Sequence, residues 1–206
     1  MIPGLFYALS AIGAGTKKYG VTANNIANIS STAFKGKIAH LREFSKGGVE
    51  LFSVTSNEGV GYFINTGRNL DLAINGDGYF KLIDGEKEYL SRIGILSVDK
   101  NGDLVDVSGR RLGINVGNSV GKVEVDNKGN VYVDGEKRDK IQLFDERGNV
   151  ISDNRYELLP GFLEASNVDT AKEIIDSITN LRYIQYNVKT IKTVDEMLGN
   201  IVNIVG

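Results

Sequence analysis

No glycine or proline falls between Gly161 and Gly199, and apolar residues return through that stretch at alternating spacings of three and four. They are Ile174, Leu181, Ile184, Val188, Ile191 and Leu198, continued by Val202 and Val205, with only Ser177 and Asp195 breaking the series. This spacing is the coiled-coil-like seam of a helix that packs along another helix. Ser166-Asn167-Val168-Asp169 has the form of a capping box and places the helix start there. Helical to its end, the stretch spans roughly 55 Å at ~1.5 Å per residue, more than a domain of this size covers alone. Ile175, Ile178, Tyr183, Tyr186, Met197, Ile201 and Ile204 lie outside the seam, so the helix is apolar on more than one side. Such faces mark an interface.

The amino-terminal segment offers a second seam: Leu5, Leu9, Ile12, Thr16, Tyr19, Ala23 and Ile26. Pro3 suits a first helical turn, where its missing N–H is no loss. The run from Ala8 to Gly15 is small on nearly every face, and each Gly costs about 1 kcal/mol in a helix interior. This helix therefore needs a partner, and the two ends of the chain are expected to form one helical unit.

Formal net charge is -2, so no general attraction to nucleic acid or to an anionic membrane is expected. Cysteine is absent, which excludes disulfides, thiolate nucleophiles and thiolate metal ligands. No Lys or Arg precedes the apolar residues at the amino terminus, so a cleaved secretion signal is not expected, and no apolar run is long enough to cross a bilayer.

Between the two helices the texture changes. Asn28-Ile29-Ser30-Ser31-Thr32 ends the first helix through side chains that compete for backbone hydrogen bonds. Residues 33–69 read as a connector, cationic and aromatic at its start, and residues 70–162 as an all-β domain of short strands between Gly, Asn and Asp turns. Residues 1–32 and 163–206 are then the two parts of the helical domain, and the fold class is α+β. Val98-Asp99-Lys100-Asn101-Gly102-Asp103 and Val125-Asp126-Asn127-Lys128-Gly129-Asn130 echo one another as strand, Gly-containing turn and strand. Two copies are too few for a solenoid.

Chemistry is sparse. Asp99 to Asp103 imitates the opening of a calcium loop but lacks the spacing and the terminal Glu. Asn75-Gly76-Asp77-Gly78 lacks the Lys-Ser/Thr of a phosphate loop and precedes a strand. His40 is the only histidine, which leaves no triad or histidine metal site. No catalytic residue, metal or cofactor is expected.

Three stretches together resemble the flagellar axial family, and within it the rod proteins of the bacterial basal body. Ala23-Asn24-Asn25-Ile26-Ala27-Asn28 followed by Ser31-Thr32-Ala33-Phe34-Lys35 is similar to the amino-terminal signature, which usually has Gly where Ala33 stands. Thr66-Gly67-Arg68-Asn69-Leu70-Asp71-Leu72, continuing to Phe80, resembles the start of the family's β domain. Leu163-Glu164-Ala165-Ser166-Asn167-Val168-Asp169 and Lys192-Thr193-Val194-Asp195-Glu196-Met197-Leu198 resemble the carboxy-terminal signature. The Gln-Arg-x-Tyr/Phe-Glu run typical of the last helix is replaced here by Leu181-Arg182-Tyr183-Ile184-Gln185-Tyr186. The short span from Phe34 to Ile74 leans towards the proximal rod form, with the distal form close behind.

The resemblance implies a structural subunit without substrate or cofactor. Its terminal helices would pack coaxially, against one another and against copies of itself and other rod or hook subunits, around a hollow axis. It also implies export through that axis by the flagellar export apparatus, a place in the rod spanning the periplasm, and no insertion into membrane. Residue by residue, Leu5, Leu9, Ile12 and Ile26 would face Leu181, Ile184, Val188, Ile191 and Leu198 within or between subunits. Asn24, Asn25 and Asn28 would satisfy backbone groups where the chain turns outward, or serve as simple solvated caps. Phe34 would anchor the connector, and Ser166, Asn167 and Asp169 would shape the start of the last helix. The residues alone also allow another class, a monomeric β binding module, for a glycan for instance, braced by a helical hairpin. Tyr62, Phe63, Tyr79 and Phe80 would supply its face, although adjacent strand residues point to opposite sides.

Overall fold

The computed structural model describes residues 3–117 and 122–205, without the side chains of 201, 202, 204 and 205; Val202 and Val205 of the seam, and Ile201 and Ile204 beside it, therefore lie outside the described side chains. The chain divides into two compact units: residues 1–30, 34–59 and 167–206, and residues 31–33 and 60–166.

The first unit is built on two helices, α1 (Pro3–Ala27) and α2 (Thr170–Val205). Pro3 is the first residue of α1, as its missing N–H favours. Asp169 caps α2: its carboxylate accepts from the Lys172 amide at 3.0 Å, and its carbonyl accepts the first helical bond from Glu173. The expected capping box is thus corrected. Asp169 stands at the cap position, not third within the helix, and Ser166 lies outside this unit. The two helices run antiparallel, Asn25 standing level with Glu173 and Gly15 with Ile184.

A third element completes this unit. Residues read as connector form an antiparallel hairpin, β1 (Lys37–Glu43) and β2 (Val49–Ser56), with a bulge between His40 and Leu41. It lies along α1. The amide of Lys37 reaches the Asn25 side chain at one end, and the Tyr7 hydroxyl donates to the Lys46 carbonyl at the other. Ser10 Oγ accepts from the Val49 amide at 3.2 Å near that end.

In the second unit, β3 (Phe63–Asn65), β4 (Leu72–Gly76), β5 (Tyr79–Asp84), β6 (Lys87–Ser91), β7 (Ser97–Val98), β8 (Asp103–Val105) and β9 (Arg111–Asn115) come first. β10 (Val123–Val125), β11 (Asn130–Val133), β12 (Glu136–Lys140), β13 (Leu143–Phe144), β14 (Tyr156–Pro160) and β15 (Phe162–Glu164) follow. Strand order in the largest sheet is β13-β5-β9-β8-β7, with β6 also on β5; β10-β11-β12 form a second sheet. β14 pairs with β4 and β15 with β3, so the last strands before α2 close onto the first strands of the unit. Leu72, Ile74, Phe80, Leu104, Val131, Ile141, Leu143 and Leu158 fill a core common to these sheets. Gly94 is required by close approach: a Cβ there would stand 1.8 Å from the Leu72 carbonyl oxygen.

The two echoed stretches are two of four copies of a single turn. Asp99, Asp106, Asp126 and Asp145 each accept through Oδ1 from the amides two and four residues on. Each is followed three residues later by a glycine with φ near +80°, at Gly102, Gly109, Gly129 and Gly148. The carboxylate that imitates a calcium ligand at Asp99 is therefore occupied by its own backbone. All four carboxyls are held below the usual aspartate range, at Asp99 chiefly by the Asp103 amide and at Asp106, Asp126 and Asp145 by side-chain bonds from Arg110, Asn130 and Asn149 together with these amides.

Candidate assembly interface

The helical unit buries a different stripe from the one that apolar spacing marks. On α1 the buried residues are Ala8, Ala11, Ala14, Gly15, Thr22 and Asn25, and those at 8, 11, 15, 22 and 25 keep heptad spacing one step round from the seam. Leu5, Ile12 and Ile26 are half-buried, and Leu9 is 62% exposed. On α2 the least exposed positions are Glu173, Asp176, Ser177, Asn180, Ile184, Asn187, Ile191 and Val194. Ile184 and Ile191 thus belong to both stripes. Leu181, Val188 and Leu198 are exposed, as are Ile174, Ile175, Ile178 and Met197, and Tyr186 is 70% exposed.

The physical reason is size. Small residues on α1 let the helices approach closely, and a Cβ built on Gly15 would sit 2.9 Å from Ile184 Cγ1. Close approach leaves little room for Leu9 or Leu181, so the branched side chains lie to either side. What holds the helices within one molecule is partly polar. Asn180, itself buried, donates to the Gly15 carbonyl at 2.7 Å, and Asn25 donates to Glu173 at 2.8 Å.

Asn25 is 1% exposed, with its amide group fully used. It donates to the Lys37 carbonyl and accepts from the Lys37 amide, both at 2.8 Å, so it joins the end of α1 to the start of β1 and to α2. Asn167 does the matching task at the base of the hairpin. Its Oδ1 accepts from Gly36 at 2.7 Å, and its Nδ2 donates to the carbonyls of Asn57 and Gly59 at 2.7 and 2.6 Å. Its own amide donates to the Phe34 carbonyl at 3.2 Å.

Of the remaining marked residues, Asn28 donates back to the Asn24 carbonyl at 2.9 Å, Asn24 is exposed and Phe34 is half-buried. Ser166 is buried in the β unit. Residues that the apolar reading passes over are Ala8, Ala11, Glu173, Asn180 and the hairpin. The signal for the helical ones is present as a small and polar heptad, which counting only large apolar side chains does not detect.

The aromatic pairs of the alternative reading do not make one face. Phe80 is fully buried in the core, whereas Tyr62 is 69% exposed. Among the described residues no three His, Cys, Asp or Glu side chains are grouped to hold a metal, and no helix is long and apolar enough to cross a membrane.

Residues 159–204, which include all but the end of α2, match the flagellar basal body rod FlgEFG protein C-terminal model, and residues 73–133, inside the β unit, match the flagellar hook protein FlgE/F/G D1 domain. The basal-body rod protein FlgG of Agrobacterium fabrum is 30% identical over 86% of this chain and 89% of its own. The chain belongs to the flagellar rod and hook family. FlgG of Bacillus subtilis is 28% identical over 99% of both chains. The hook protein FlgE of Salmonella typhimurium is 34% identical, but over 51% of this chain and only 28% of its own. The rod protein FlgF of Buchnera aphidicola is 26% identical over 87% of this chain and 88% of its own. Matches over most of both chains thus include rod proteins of the FlgG and FlgF types, whereas the hook protein shares a part.

Proposed function

We infer that this chain is a structural subunit of the flagellar basal-body rod, which polymerises through its helical unit with copies of itself and with other rod or hook subunits. One observation carries the mode of assembly. The seam within the molecule is small and polar but for Ile184, Ile191 and Val194, while Leu9, Ile174, Ile178, Leu181, Val188, Met197 and Leu198 are turned to solvent. An outward apolar stripe of this length on a helical pair is the surface of a packed multi-helix tube. Coaxial, coiled-coil-like packing of such pairs around a hollow axis gives a shaft that transmits torque and encloses an export channel. Passage of the subunit through that channel by the export apparatus, without a cleaved signal, and residence across the periplasm belong to the same reading. The protein works by shape and packing, with no reaction to catalyse.

The test separates the outward stripe from the internal seam. Ile178→Asp and Leu181→Asp place a carboxylate on the outward stripe. Both should abolish rod incorporation and motility while the purified chain keeps its circular dichroism spectrum. Normal incorporation of both variants would refute the reading.

A further inference from the structure

The buried stripe of α1, with Ala8, Ala11, Gly15 and Thr22, is small throughout, and shape fixes axial position only at the notch where Ile184 meets Gly15. Two polar contacts define it as well. Asn180 Nδ2 reaches the Gly15 carbonyl at 2.7 Å, in the middle of α1, where the missing side chain leaves that carbonyl accessible. Roughly 13 Å further along the pair, at 1.5 Å per residue, Asn25 Nδ2 reaches Glu173 Oε1 at 2.8 Å.

We propose that Asn180 and Glu173 are the positioning residues that set the axial register of α2 on α1, and so decide which outward residues of the two helices stand level. A buried polar group penalises every register that leaves it unpaired. Sliding α2 by one heptad in one direction sets Glu173 against the Gly15 carbonyl, acceptor facing acceptor. Sliding it the other way brings Asn187 to Gly15 but takes the carboxylate from Asn25. Each slip displaces the helices by about 10 Å. The consequence for the rod rests on the assembly reading above, because a subunit out of register would offer its neighbours a mismatched stripe. The register itself belongs to the single chain.

The cysteine-free sequence allows a direct measurement. Spin labels on Ala23→Cys and Met197→Cys, both at exposed positions, lie on the order of 30 Å apart along the helices. Pulsed electron resonance on the full chain should give one narrow distance. In Glu173→Leu/Asn180→Leu, helix content should be retained while a second population appears, displaced by about 10 Å. A single unshifted distance in the double variant would overturn the proposal, and so would a broad distribution in the parent chain. Loss of helix in the double variant would equally overturn it, since the two contacts would then supply stability and not register. Defective rods from the outward-stripe variants, with an unshifted distance here, would separate failure of this proposal from failure of the assembly reading.

Discussion

Arg92 and Glu164 form a 2.9 Å ion pair inside the β unit, with side chains 7% and 1% exposed. The guanidinium also donates to the carbonyls of Ile74, Gly76 and Gly78, and the second carboxylate oxygen accepts from the Gly61 amide. One pair therefore ties β4, the turn after it and β15 together, just ahead of the residues that lead to α2.

Removing one charge from that pair leaves the other buried and uncompensated, which typically costs about 3 to 5 kcal/mol. Glu164→Gln should lower the urea stability of the β unit by roughly 3 kcal/mol. A double change to apolar residues should not restore it, because three carbonyls would lose their donor. A change below about 1 kcal/mol in Glu164→Gln would show that the pair is not as dry as its burial indicates.

The four aspartate turns predict an acid limb. At Asp99 the hydrogen bond from the Asp103 amide is the main cause of the lowered pKa, and at Asp145 the bond from the Asn149 side chain. At Asp106 and Asp126 burial raises the pKa but is outweighed by hydrogen bonds from Arg110 and Asn130. A carboxyl whose folded pKa lies below its unfolded value, about 3.9, stabilises the fold fully above that value. The contribution is lost as pH falls through the folded pKa. Urea midpoints should be flat from pH 7 to about 5 and drop below pH 4. Asp126→Asn should make that drop shallower; an equal slope in both proteins would count against the turns as its source.

Much of this architecture is legible in the residues, and the gaps have physical causes. Two long helices around a β region follow from period and turn chemistry, and among the residues of the family signatures Asn25 and Asn167 have side chains that clamp elements together. The internal seam is not legible from Leu9 or Leu181, because close helix packing selects small side chains and turns large ones outward. The hairpin escapes because Lys37, Arg42 and Lys46 read as solvated, although Arg42 lies over the Phe52 ring at 4.3 Å and pairs with Glu50. The turn after Asp106 escapes because Val107-Ser108 lacks the Asn and Lys that flank the two echoed turns. The aspartate, with a glycine three residues on, is the whole requirement.

Two glycines of α1 should respond oppositely to the same substitution. At Gly13 an added methyl would find nothing within 4 Å, whereas at Gly15 it would meet Ile184 at 2.9 Å. Gly13→Ala should raise helix stability by about 1 kcal/mol through propensity alone. Gly15→Ala gains the same propensity but must push Ile184 aside and crowds the carbonyl that Asn180 uses. Its thermal midpoint should therefore fall below that of Gly13→Ala. Equal midpoints would mean that the helices are not in close contact at Gly15.

Ala33 departs from the family signature, which usually has glycine there, and the structure shows what that departure entails. Its φ is 54°, in the left-handed region, while its amide donates to the Glu164 carbonyl at 2.8 Å. For a residue with a Cβ this conformation costs about 1 to 2 kcal/mol, and glycine gives back part of that through the greater freedom of its unfolded chain. Ala33→Gly should thus stabilise the β unit by on the order of 0.5 to 1 kcal/mol, read as a higher urea midpoint with an unchanged slope. Ala33→Val, which adds branching at the same φ, should move the midpoint the other way. If Ala33→Gly instead lowered the midpoint, the left-handed geometry would be absent in solution, and the Glu164 carbonyl would have to find its donor elsewhere.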